Sequence, residues 1–249
     1  MKIVLDGSIQ GFTARLNWPG YIGGHENGIW LYTPEAFRDV LLACHRVGVL
    51  VHVHCNGDEA VDLFIEVMAE AERTHPQRDH RYTVQHCQLT TPSQYRQMAA
   101  LGLNANIFSN HIYYWGDQHH DLTVGPERAK RMDACATAQR EGVRFSIHSD
   151  ASITPLGHLH TMWCAVNRMT ATGRVLGPEE RIDVDSALRA VTIDAAHQLR
   201  MDHEIGSLHA GKFADMVALE ADPRDVDPIH ILDIGVVGTV VGGVVHLNQ

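Results

Sequence analysis

Val49-Leu50-Val51-His52-Val53-His54-Cys55-Asn56-Gly57-Asp58 is a β-branched run that breaks into a polar, glycine-containing turn. A short apolar run of this kind predicts a strand buried on both faces, as in a parallel sheet. His52 and His54 stand two apart, so on a strand they point to the same side. An imidazole inside such a strand gives up hydration and needs a partner there. Two further segments end in the same manner, Tyr82-Thr83-Val84-Gln85-His86-Cys87 and Val143-Arg144-Phe145-Ser146-Ile147-His148-Ser149-Asp150. Three strands ending in His or Asp present groups that bind divalent metals.

Outward from these, strands are expected over Lys2–Asp6, Val49–Cys55, Tyr82–Cys87, Leu103–Phe108 and Val143–His148. Thr33-Pro34-Glu35 opens a helix, with Thr33 as N-cap and Pro34 at the first helical position. Phe37, Val40, Leu41 and Cys44 follow at helical spacing, and Gly48 stops the run. Further helices are expected over about 59–75, 92–100, 126–139, 156–170 and 184–198. Two polar loops intervene, 8–32 with Gly20, Gly23, Gly24 and Gly28, and 109–124 with Tyr113, Tyr114, Trp115 and three histidines. Alternating strands and helices predict parallel β/α units. The metal-binding residue types fall at the C-terminal strand ends, where barrel active sites are built. Five strands are too few for a closed barrel of eight. From about residue 205, Ala214–Leu219 and Val236–Val245 predict a β appendage containing a hairpin. The expected division is a barrel portion, 1–200, and an appendage, 201–249.

The net charge of −10 argues against nucleic acid or an anionic membrane as partner. No apolar run reaches membrane-spanning length, and no charged-then-apolar leader opens the chain. Cys44, Cys55, Cys87, Cys135 and Cys164 are odd in number, widely spaced and without a CxxC pair, which argues against a disulfide framework or zinc knuckle. A reducing cytoplasm is the expected setting. The 18 histidines are the anomaly of composition, and a metal site uses only a few of them.

His54, followed at once by Asn56-Gly57-Asp58, and His86 in the matching position are candidate metal ligands rather than core histidines. His52 is open between a ligand, a partner behind the ligands and a packed residue. Asp150 can bind a metal and also take a proton from water whose pKa the metal lowers to about 7. The bland alternative for Asp150 is a helix N-cap ahead of Pro155. His148 faces the same side and is a secondary candidate. Lys2 is a poor ligand as an amine and becomes a bridging carboxylate only if carbamylated; on composition alone it is a solvated terminal lysine.

Lys2-Ile-Val-Leu-Asp-Gly-Ser8, His54-Cys-Asn-Gly-Asp58-Glu-Ala60, Gln85-His86-Cys-Gln-Leu89 and His148-Ser-Asp150-Ala151 resemble the amidohydrolase superfamily, and within it family 3, the N-substituted-formamide deformylase-like proteins. Ala187–Ala196 and Ile205-Gly-Ser-Leu-His-Ala-Gly-Lys-Phe-Ala-Asp215 resemble the ending of that family, so the likeness runs in order along the whole chain. The resemblance implies an α/β fold, the C-terminal part of a distorted TIM-like (β/α)8 barrel with a small β-sandwich. It implies metal ligation by His54 and His86 from strands five and six, Asp150 as strand-eight ligand and general base, and Lys2 at the strand-four position of a carbamylated lysine. The family's strand-one His-x-His has no counterpart, because the match begins at strand four; His52-Val-His54 has that spelling but precedes the strand-five phrase.

The reading is thus a metal-dependent hydrolase, zinc being the expected metal in one or two ions, acting on carbon–nitrogen bonds other than peptide bonds in a small-molecule substrate. A deaminase, a carbon–oxygen hydrolase and a non-catalytic remnant that acts by association are the rivals. Trp18, Tyr113, Tyr114 and Trp115 suggest an apolar or aromatic substrate group, the bland alternative being loop packing. Unpaired sheet edges imply a homo-oligomer or a missing N-terminal half. Gly23-Gly24 and Gly242-Gly243 lack the strand–loop–helix context of a phosphate site.

Overall fold

In the computed structural model, which describes residues 1–247, five strands lie parallel and side by side in chain order. They are β1 (Lys2–Val4), β2 (His52–Cys55), β3 (Thr83–His86), β4 (Asn104–Ile107) and β5 (Phe145–Ile147). The register sets Ile3, Val53, Val84, Ala105 and Phe145 in one row, all buried beneath the helices. The opposite face is polar: Lys2 and His52, then His54, Gln85, Asn106 and Ser146. Burial on both faces, as expected of such strands, holds along β3 and β5, whereas in β2 Val53 and Cys55 are buried and His52 and His54 only half-buried.

Hydrogen bonds between neighbours make that polar face tenable. Gln85 Nε2 lies 2.6 Å from His52 Nδ1, and Asn106 Nδ2 donates to Gln85 Oε1 at 2.8 Å. Ser146 Oγ lies 2.8 Å from both Asn106 Oδ1 and Gln198 Oε1. Gln198 Nε2 closes the row on the Ala105 carbonyl at 2.7 Å. His52 is therefore committed to this ladder and stands outside the cluster of candidate ligands.

The helices α1 (Pro34–Arg46), α2 (Asp58–Thr74) and α3 (Pro92–Ala100) begin as their sequences dictate. Thr33 accepts from Ala36 N–H, and Thr91 forms a capping box with Gln94. The stretch 109–124 is not a loop. It forms α4 (His111–Gln118) and a π-helical turn, His119–Thr123. Burial of His111, Ile112 and Gly116 drives this, and a Cβ at Gly116 would meet the Leu176 and Thr170 side chains at 2.8 Å, so those side chains would have to shift.

The helix expected over 126–139 is broken into α5 (Pro126–Ala129) and α6 (Cys135–Arg140). Between them Asp133 takes φ 48°, and the buried Arg168 guanidinium donates to the carbonyls of Lys130, Met132 and Asp133. Those carbonyls thus find a side-chain donor in place of helical N–H groups. Next come α7 (His158–Asn167), α8 (Val184–Val191) and α9 (Ile193–Gln198), the last two divided at Thr192, which interrupts the helix expected over 184–198.

The appendage is an antiparallel sheet of β6 (Met216–Leu219), β7 (Val236–Val241) and β8 (Val244–Leu247). Val236–Val245 is a hairpin turned at Gly242-Gly243, whose φ values of 57° and 85° are those an I′ turn requires. The last two residues of the expected 201–249 unit lie outside the described residues. All five cysteines are unpaired. Among the described residues no helix is long and apolar enough to cross a membrane.

Candidate metal centre

His86 ends β3 with φ 76°, a left-handed twist that lifts its ring out of the strand's alternation. It is 2% exposed, and neither ring nitrogen has a hydrogen-bond partner among the described residues. Its ring centroid lies 4.5 Å from that of His54 and 5.0 Å from that of His148. One ring nitrogen each of His86 and His148 and a carboxylate oxygen of Asp150 all lie within 4.8 Å of one another.

His54 reaches the same space from β2. Its Nε2 lies 3.1 Å from both the Gly7 carbonyl and the Asn56 side-chain amide nitrogen; the tautomer with hydrogen on Nε2 donates to that carbonyl and leaves Nδ1 a lone pair. The Asn56 amide donates to the same carbonyl at 2.7 Å and steadies it. Asp150 does not cap a helix, because the residue ahead of α7 is Gly157. It instead sits past β5 with φ 51°. Lys2 lies on the exposed edge strand, in register with His52.

Burial holds these imidazoles neutral. It lowers His54 and pushes His86 well below the ordinary imidazole range, with the charges of His148, His54 and Lys2 adding to the effect at His86. His148 is pushed down to about 3 by burial, and then by the Lys2 ammonium. A neutral ring is the form that offers a lone pair to a metal.

Asp6 was not singled out in the sequence, yet it organises the entrance. Fully buried, it accepts the N–H groups of Arg15, Asn56 and Gly57 at 3.0, 3.0 and 2.9 Å. Burial pushes its carboxyl up to about 7 against the pull of those donors. It ties the turn after β2 to the 8–32 loop, which is further held by the 2.7 Å ion pair of Arg15 with Glu59. The only sequence signal was an Asp-Gly just past β1.

A second buried group also escaped the sequence reading. His111 Nδ1 stands 3.9 Å from Asp133 Oδ2, and the His111 and His119 rings stack at 4.8 Å. Of the aromatics, Phe108 stacks on His148 at 5.1 Å and Trp115 packs on Phe108 at 6.2 Å. Tyr113 packs on Trp163, and Trp18 is 94% exposed, so neither is gathered at the cluster.

The residues fit a divalent cation. His86 has two buried nitrogens without a partner among the described residues, His54 can place its one N–H on a backbone carbonyl as metal-bound histidines do, and Asp150 supplies a carboxylate.

Parallel β/α units with His and Asp gathered at the C-terminal strand ends are the arrangement found in part of a TIM-like metal-dependent hydrolase barrel. Solved structures agree on the fold. An uncharacterized metal-dependent hydrolase from Pyrococcus horikoshii OT3 superposes with a TM-score of 0.80 at 23% identity, over 92% of this chain and 46% of that one. An adenosine deaminase from Xanthomonas campestris with bound zinc superposes with a TM-score of 0.60 at 19% identity, over 88% and 50%.

The family model described as "Amidohydrolase family" matches residues 1–246, and the chain belongs to that family. The N-substituted formamide deformylase of Arthrobacter pascens is 28% identical over 222 residues, 89% of this chain and 41% of that protein. Protein LONG AFTER FAR-RED 3 of Arabidopsis thaliana is 28% identical over 246 residues, 98% of this chain and 42% of that protein. The chain thus spans less than half the length of these relatives.

Proposed function

We propose that this chain carries the strand-end ligands and general base of a hydrolase that cleaves carbon–nitrogen bonds other than peptide bonds, with amide or formamide substrates. The observation that carries the reading is His86, buried with both nitrogens bare beside His148 and Asp150. His54 through Nδ1, His86 and Asp150 would hold the cation, zinc by the nature of the donors, and Lys2 would join them once carbamylated. When bound, the metal supplies Lewis acidity and lowers the pKa of water. Asp150 takes the proton of the attacking water and returns it to the leaving amine. The Gly7 carbonyl keeps His54 in the ligating tautomer, and Asp6 keeps the turn beneath it in place.

The deformylase relative names formamides as the first substrates to screen. A homo-oligomer or an N-terminal half completing the sheet, in a cytoplasmic setting, belongs to the same proposal. The test is amine release from a panel of N-formyl amines and simple amides by zinc-loaded chain. Hydrolysis that stops with chelator and falls at least about a hundredfold in Asp150→Asn supports the reading. Turnover unaffected by either treatment, or no turnover across the panel, overturns it for this chain.

A further inference from the structure

His148 belongs to the cluster by position, but its hydrogen bonding sets it apart. Its Nδ1 accepts the backbone N–H of Asp150 at 3.1 Å. In a neutral ring the proton then resides on Nε2, which is buried with no hydrogen-bond partner among the described residues. The ring is clamped between Phe108, stacked at 5.1 Å and 25°, and His86 at 5.0 Å. Its backbone N–H is fixed to the Ile107 carbonyl at 3.0 Å.

Asp150, two residues on, adopts φ 51°, which a non-glycine residue keeps only when its surroundings hold it there. The bond from its N–H to His148 is one such hold, and the bond from Ile153 N–H to its carbonyl at 2.7 Å is the other. Ligation by His148 conflicts with this arrangement either way. A metal on Nδ1 would displace the Asp150 amide. A metal on Nε2 would move the proton to Nδ1, donor against donor across the present 3.1 Å contact.

We propose that His148 is a positioning residue and not a ligand: its Nδ1 holds the Asp150 backbone in the left-handed turn that aims the carboxylate at His86. The consequence for metal binding rests on the proposed function; the hydrogen bond itself does not. The side-chain oxygen of asparagine occupies nearly the place of imidazole Nδ1, so His148→Asn keeps the acceptor, while His148→Leu removes it.

Zinc affinity is measured by chelator competition in unmodified chain and both variants, and amide hydrogen exchange at Asp150 is followed in metal-free protein. The expected result is affinity about 10- to 100-fold weaker in His148→Leu and restored to within about threefold in His148→Asn. Protection of the Asp150 amide is expected to follow the same order. With cadmium-113 and nitrogen-15 labelled histidine, coupling is expected at His86 and not at His148. Equal loss in both variants, or cadmium coupling at His148, would make it a ligand and overturn the proposal. Unchanged affinity and protection in His148→Leu would overturn it as well. If unmodified chain binds no zinc, the proposed function fails, while exchange at Asp150 in the metal-free variants still decides the role of His148.

Discussion

At His86 the hydration lost on burial is offset by no group among the described residues, and an unmet buried donor or acceptor costs about 1–3 kcal/mol. A residue kept at that cost for its chemistry should be improvable for stability alone. His86→Leu is therefore expected to raise the stability of metal-free chain by about 1 kcal/mol, read as a higher urea midpoint, while removing its metal affinity. A less stable metal-free variant would show that the ring packs rather than binds. Neutral buried histidines also set the acid response. His119 and His148 are pushed down to about 3, and burial lowers His54, His86 and His111 too.

A base with a depressed native pKa binds its proton more readily when unfolded. Its stabilising share is intact above about pH 6.5 and is lost as pH falls toward 3. Asp6, Asp58, Asp133 and Asp194, raised by burial, act in the opposite sense. The histidines outnumber them, so the thermal midpoint is expected to fall steadily from pH 7 to pH 4. A flat or rising midpoint would contradict the neutral assignment. Asp150, His54 and His86 were legible as candidates because strand-end position is visible in a sequence. The backbone bond that engages His148 and the amides that converge on Asp6 were not, since both depend on left-handed or turn geometry that no residue spacing encodes.

Among the elements, the turn after β2 shows how closely two segments can be required to approach. A Cβ on Gly57 would lie 1.8 Å from the Arg15 carbonyl oxygen. Gly57→Ala must push the 8–32 loop away from α2 and is expected to destabilise by about 3 kcal/mol or more, with proteolytic nicking concentrated in 8–32. Unchanged stability and proteolysis would mean that the loop is not anchored there. Thr91→Ala, which removes a capping box, is expected to cost about 1 kcal/mol by urea unfolding.

The strands and the capped helices were readable because period and cap residues are local signals. Residues 109–124 were misread as a loop because their helix depends on tertiary burial around Gly116 rather than on propensity. The break at Asp133 was equally hidden, since the donor that satisfies its carbonyls is Arg168, 35 residues away along the chain.

Across the whole molecule the polar face of the sheet is the main departure from an ordinary parallel sheet. That face is buried at Gln85 and Ser146 but leaves Lys2 and Val4 of β1 exposed, and among the described residues β1 and β5 each pair with a single neighbour. Exposed strand edges recruit other strands. The 27.6 kDa chain is therefore expected to self-associate, giving a mass above the monomer by light scattering. A stable, monodisperse monomer would contradict this. Barrel ancestry was legible from strand–helix alternation and family phrases. The polar ladder from His52 to Gln198 was not, because it links residues on four strands and a distant helix whose neighbourhood exists only once the sheet has formed.

His54, His86 and Asp150 are proposed to hold a divalent metal at the strand ends. Elemental analysis of purified chain after zinc loading and removal of excess metal tests this most directly, with His86→Leu treated in parallel. The expected result is about one zinc per chain, lost in the variant. No bound zinc in the unmodified chain, or the same content in both proteins, would contradict the assignment.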